Sequence, residues 1–250
     1  MSGLFFNLGR SLGRVTVPAI RKSKWVWHSL AGTEAESLQA ERELGNAMAG
    51  ELRRKLGAAG NPRDTELVSE IGRRLGACVR NRLLRFKVEV VPAASPTAMA
   101  LPGGFIFVGV SLLDLCERQP DELAFVIGHE MAHVIRGHAF DRITSRVGLD
   151  VLSSILSRGA LSPWLRQTGL RLLQSAHSQE CELEADELGA RLAEAAGYDP
   201  GGAVRLLRRL QTLRGTPQGV GEYFASHPAA AERIAQIQGL RSAALRKTRH

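Results

Sequence analysis

The chain has 250 residues, 44% of them hydrophobic and 23% charged, an ordinary globular composition with enough length to bury a core. Its net charge of +8 and pI near 10.1 suit an arginine-rich surface, attracted to anionic membranes or acidic partners. Aromatic residues are only 5% and no recognition motif is present, so no nucleic-acid partner is expected.

Residues 1–32 form a basic amphipathic segment. Arg10, Arg14, Arg21, Lys22 and Lys24 stand there with no acidic residue. Phe5, Leu8, Leu12 and Val15 are spaced along one helix face, Pro18 interrupts it, and Trp25 and Trp27 follow. This pattern suits a membrane interface or organelle targeting, with a strap packed on the core as the alternative. No run of 18 apolar residues and no signal-peptide core is evident. The expected location is therefore cytoplasmic or peripheral to a membrane. Cys78, Cys116 and Cys181 have no paired spacing, which argues against a disulfide framework or a cysteine metal site.

From Thr33 onward the chain reads as one domain, residues 33–250, without a separating linker. Thr33 to Glu36 is a capping box that starts a helix running to about Leu56, with Gly57 just past its end. Asn61-Pro62 opens a second helix, with Leu67, Ile71 and Leu75 four apart. Phe86–Val90 alternates and predicts a strand, ended by Pro92. A small-residue loop is expected up to Pro102-Gly103-Gly104, then a second strand over Phe105–Val108 and a short helix over Ser111–Glu117.

Pro120 opens the helix that carries the chemistry. His129-Glu130-Met131-Ala132-His133 is an H-E-x-x-H pattern. Residues four apart lie about 40° apart around a helix, so both imidazoles can grip one metal ion. Glu130 can reach a water beside that ion and act as general base. Leu123, Val126, Ile127, Met131, Val134 and Ile135 predict that the helix is buried. Residues 140–178 predict a helical insertion, a lid or a membrane-resting pair, or else two packed helices. Helices are expected over Glu180–Ala196 and Ala203–Leu213, and a last one from near Pro228 to about Arg246.

A catalytic zinc takes three protein ligands and keeps one open position. The pattern H-E-x-x-H-x-x-G-x-x-H would need glycine at 136 and histidine at 139, where this chain has Arg136 and Ala139. His138 is out of register and is expected to cap or hydrogen-bond nearby. A glutamate from a later helix is the other solution. Glu182 and Asp186 share a helix face, so Glu182 can ligate the metal while Asp186 holds a ligating imidazole. Glu184 points about 160° away from Glu182 and is expected in solvent.

His129–His133, Glu182-x-x-Ala185-Asp186, and Ser226-His227-Pro228 with Arg233 occur in an order that resembles a known family. It is the gluzincin metallopeptidases, which include HtpX, the OMA-type proteases and the CAAX prenyl protease. Met99–Gly104, followed by a hydrophobic strand, is similar to that family's segment before the metal helix. The resemblance runs from about Thr33 to Leu240. It implies a zincin-like, mainly helical α+β fold with a small sheet and one Zn2+ per chain. It implies an endopeptidase acting on protein or peptide substrates, in protein quality control near a membrane. It also implies that Glu182 is the third ligand and that His227 and Arg233 face the substrate or the tetrahedral intermediate. The chain departs from the family at Thr97, where asparagine is usual, and lacks the transmembrane helices of several members.

Two roles are open for His227, a hydrogen-bond donor to the oxyanion or a ligand that blocks the open metal position; a helix cap is the plain alternative. Arg233, six residues on, is expected to share the site only if the chain bends at Pro228. Gly104, Phe105 and Ile106 are candidate substrate-binding residues, because a strand over Phe105–Val108 could pair with an extended peptide along its edge. The rival class is a non-proteolytic membrane or chaperone-like binder with a structural zinc. Glu130 argues against it, since a structural site needs no base.

Overall fold

The computed structural model describes residues 33–57, 61–147, 177–213, 227 and 230–247. The basic segment 1–32, residues 148–176 of the insertion expected over 140–178, residues 214–226 and Pro228 lie outside the described residues.

Helix α1 (Glu34–Leu56) begins with the expected capping box. The Glu36 N–H donates to the Thr33 hydroxyl at 3.3 Å, and the Thr33 N–H donates to Glu36 Oε2 at 2.7 Å. Leu44, Met48 and Leu52 form its buried stripe, while Leu56, in the last turn, is 38% exposed. Helix α2 (Pro62–Ala77) starts as read, with the Asn61 side chain accepting from the Arg63 N–H and proline in the first turn.

Three strands follow: β1 (Lys87–Val91), β2 (Ala98–Leu101) and β3 (Phe105–Gly109). They pair in the order β1–β3–β2, with β1 parallel and β2 antiparallel to β3. Strand β2 occupies part of the stretch expected to be a loop. Its Ala-Met-Ala-Leu sequence has low strand propensity, and only pairing with β3 makes it a strand. The strand over Phe105–Val108 is therefore the centre of the sheet. Both of its ladders are occupied, so edge pairing of a peptide on Phe105 and Ile106 is ruled out.

Alternation along β3 builds two cores. Ile106 and Val108 face one side, with Val88, Val90, Val68, Ile71, Phe125 and Met131. Phe105 and Phe107 face the other, against Leu44, Met48, Leu52 and Phe140. Truncating a buried phenylalanine such as Phe107 to alanine costs about 3–5 kcal/mol in settings like this one.

Short helix α3 (Val110–Leu115) leads to α4 (Pro120–Arg136), the metal-motif helix. Gly137 ends α4 in the left-handed conformation (φ 75°), with its N–H on the carbonyls of His133 and Val134. That tight stop lets α5 (His138–Val147) start at once and fold His138 back onto the last turn of α4. Helices α6 (Gln179–Ala195), α7 (Gly201–Leu213) and α8 (Ala230–Lys247) complete the described fold. It is α+β and mainly helical, as expected. Among the described residues, no helix is long and apolar enough to cross a membrane.

Candidate metal centre

The site is made by the crossing of α4 and α6, and two glycines set its depth. A methyl group on Gly128 would meet the Gly189 carbonyl oxygen at 2.8 Å, and one on Gly189 would meet the His129 nitrogen at 2.6 Å. No larger residue fits without moving a helix, so the backbones touch here. Glu182, seven residues before Gly189, then lies on the face turned toward His129 and His133.

Four side chains converge. His129 Nε2 is 3.1 Å from His133 Nε2 and 3.6 Å from Glu182 Oε2. His133 Nε2 is 3.5 Å from Glu182 Oε1. His227 Nδ1 lies 3.1 Å from both Glu182 oxygens and 3.4 Å from His129 Nε2. One donor atom from each of these four buried residues lies within 4.8 Å of the others. Glu130, 3% exposed, stands beside them with Oε1 at 3.5 Å from His227 Nε2.

Further contacts fix the imidazoles. His129 Nδ1 donates to Asp186 Oδ1 at 2.9 Å, which leaves Nε2 free to bind a metal. Asp186 is gripped by Arg233, Nε to Oδ2 at 2.7 Å and Nη2 to Oδ1 at 2.8 Å. Arg233 Nη1 is also 3.3 Å from Glu182 Oε2. Arg233, implied by the resemblance to face the substrate or the tetrahedral intermediate, is turned onto Asp186 and Glu182. Its guanidinium is 1% exposed and turned onto two carboxylates, so it positions them. His227 and Arg233 share one site, both lying against Glu182 Oε2. His133 is oriented by His138, whose Nδ1 is 2.9 Å from His133 Nδ1.

Electrostatics bind the group together. Burial pushes His133 below its ordinary value and, with His133 alongside, pushes His138 down to about 3, so both imidazoles stay neutral. Burial opposes charge on Glu182 and Asp186, yet each is held below its usual range, Glu182 by His227 and His133, Asp186 by Arg233 and His129. Burial also opposes charge on His227, but Glu182 outweighs it and raises that group. Two buried carboxyl groups, Glu182 and Asp186, lie against the Arg233 guanidinium, with a third, Glu130, beside His227. Imidazole and carboxylate groups converging from His129, His133, Glu182 and His227 form a donor set that suits a divalent cation.

Every ligand-type residue read from the sequence is here. Glu184 is 41% exposed and sits 3.8 Å from both Arg136 and His138, outside the cluster as expected. Gly104 instead packs under the chain at Arg85, where its positive φ of 91° is required. One residue escaped the sequence reading. His177, just before the Ser178 N-cap of α6, stacks on His133 with ring centroids 3.9 Å apart and planes 21° apart. Its only sequence signal is a histidine five residues before Glu182.

An H-E-x-x-H helix, a glutamate from a second helix and a carboxylate beside them define a metallopeptidase with a metal cofactor. The chain belongs to peptidase family M48, whose family model matches residues 62–241. It is 32% identical over 179 residues to the mitochondrial metalloendopeptidase OMA1 of Schizosaccharomyces pombe, covering 70% of this chain and 52% of that protein. It is 30% identical over 192 residues to the metalloprotease LoiP of Escherichia coli, covering 74% of each. It is also 26% identical over 215 residues to the beta-barrel assembly-enhancing protease of Yersinia pestis, covering 81% of this chain and 44% of that protein. The chain spans about half the length of that OMA1 protein.

Proposed function

We propose that this protein is a zinc endopeptidase that cleaves unfolded or damaged proteins near a membrane surface. The observation that carries the reading is the spacing of the donors. Ligands about 2.05 Å from a tetrahedral zinc stand about 3.3 Å from one another. Five of the six separations among His129, His133, Glu182 and His227 run from 3.1 to 3.6 Å, and all four donor atoms lie within 4.8 Å of one another. His129, His133 and Glu182 would hold the ion, with His227 beside them.

A bound zinc supplies Lewis acidity there, polarising the scissile carbonyl and making a nearby water more acidic. Glu130 accepts the proton of the attacking water and passes it to the leaving amine. His227 would donate a hydrogen bond to the carbonyl oxygen as it gains charge. Asp186, locked by Arg233, keeps the His129 tautomer constant throughout. An extended peptide would align on β2, an edge strand among the described residues and packed against α4, in place of the central β3. The names of the relatives, metalloendopeptidase and metalloprotease, support the same reading. The basic segment 1–32 and the net charge of +8 support contact with an anionic membrane.

The test is metal content together with cleavage of an unfolded protein, with and without a chelator. One zinc per chain and chelator-sensitive cleavage are expected. Cleavage that persists in metal-free protein would refute the proposal.

A further inference from the structure

The connection from α2 to β1, residues 78–86, carries Arg80, Arg82 and Arg85 and no acidic residue. All three arginines are exposed. Leu83 stands among them at 52% exposure, the most exposed large hydrophobic residue among the described ones. Asn81 holds it there. Its Oδ1 accepts from the Leu83 N–H at 3.0 Å, its carbonyl accepts from the Leu84 N–H at 3.3 Å, and its Nδ2 donates to Glu34 Oε1 at 2.9 Å. The connection therefore lies against the first turn of α1, where segment 1–32 joins the described fold.

Several arginines elsewhere on the surface are matched by carboxylates: Arg73 by Glu70, Arg118 by Asp64 and Asp114, Arg205 by Asp121 and Asp199. In the connection, Arg82 donates to the Ala77 carbonyl at 3.2 Å, and Arg85 donates to the carbonyls of Arg82 and Leu84. These bonds fix two guanidinium groups without cancelling their charge. Arg42 Nη1 donates to the carbonyls of Arg85, at 3.4 Å, and Gly103, at 3.2 Å, which ties the connection to the chain between β2 and β3.

We infer that residues 80–85 are a membrane-docking surface, on which Leu83 enters the interface of an anionic bilayer while Arg80, Arg82 and Arg85 meet lipid phosphates. The inference rests on the membrane contact proposed above, not on the peptidase chemistry, and gives that contact a place on the folded domain. A fixed, exposed leucine between uncancelled arginines is complementary to a partner that is apolar and anionic at once, as a bilayer interface is. Stable anchoring takes two weak signals, and segment 1–32 enters the fold beside this surface to supply the other. Docking here also brings the end of β2 toward the bilayer.

The experiment is sedimentation of the full chain with phosphatidylcholine vesicles, with and without phosphatidylglycerol. Wild type is compared with Arg80→Gln/Arg82→Gln/Arg85→Gln, with Leu83→Ser, and with a control, Arg54→Gln/Lys55→Gln/Arg63→Gln. The control removes the same charge. Arg54 and Lys55 lie about 30 Å along α1 from Glu34, and Arg63 about 20 Å along α2 from Ala77, well beyond a screening length of about 10 Å. The triple arginine variant should bind anionic vesicles about 100-fold more weakly, since each basic residue at such a surface contributes about fivefold. Leu83→Ser should lose about three- to tenfold, and the control less than about twofold. Metal content and cleavage of a soluble peptide should match wild type throughout. Wild-type vesicle affinity in either turn variant, or an equal loss in the control, would overturn the inference and leave segment 1–32 as the membrane contact. A wild type that binds both kinds of vesicle alike would overturn the membrane reading too, and turn the patch over to an acidic protein partner.

Discussion

Replacing Gly189 by alanine adds one methyl group at the point where two helices touch. That methyl would lie 2.6 Å from the His129 nitrogen and 2.8 Å from its Cα, against backbone that cannot swing aside. Ordinary contact begins near 3.4 Å, so α6 must retreat by about 0.8 Å. Metal ligands tolerate displacement of only about 0.2 Å. Glu182 rides on α6 while His129 and His133 ride on α4, so the retreat acts directly on the donor set. Overpacking of this kind costs about 1–3 kcal/mol of stability. Metal affinity, measured by competition with a chromophoric chelator, should fall at least tenfold, and the thermal midpoint should drop. Gly50→Ala is the control. A methyl there meets nothing within 4 Å in the interior of α1, so the same change should stabilise by about 0.5–1 kcal/mol. Wild-type metal affinity in Gly189→Ala would refute the view that this helix contact sets the site.

The glutamates should separate cleanly. Glu182→Gln should weaken metal binding far more than Glu184→Gln, with Asp186→Asn in between at about 10–100-fold, by metal competition; equal affinity in the Glu182 variant and wild type would mean the third ligand is misassigned. His227→Ala should lower kcat by about 100–1000-fold with metal retained, whereas a rise in activity would make His227 a blocking ligand. In metal-free protein, His138 is held neutral by burial and by His133, with its pKa pushed down to about 3. A depressed histidine contributes stability above its unfolded value of about 6.5 and loses it as pH falls from there toward about 3. Urea titrations from pH 7 to pH 4 should show a steep decline, and His138→Gln should flatten it by up to about 1.4 kcal/mol per pH unit. An unchanged slope would remove His138 as its source.

The metal helix was legible because its chemistry is local. Four-residue spacing puts His129 and His133 together whatever the fold, and the same spacing ties Glu182 to Asp186. Caps at Thr33 and Asn61 marked helix starts for the same reason. What sequence could not show depends on distant partners. Strand β2 exists only through β3, and a continuous apolar run such as Phe105–Val108 does not reveal that it is the middle of a sheet. Nothing local announces that Arg233 grips Asp186, 47 residues away. Gly128 and Gly189 read as two unrelated small residues until their helices cross. His177 had no spacing to betray it, since its partner His133 belongs to another helix.

The central claim is that Glu130 moves the proton while His129, His133 and Glu182 hold the metal. Glu130→Gln separates these tasks, since it removes a proton acceptor and leaves every proposed ligand in place. One measurement pairs zinc content with single-turnover cleavage of a peptide that the wild type cuts. The mechanism predicts one zinc per chain and hydrolysis reduced by about 100-fold or more. Wild-type cleavage in that variant, or loss of its zinc, would contradict it.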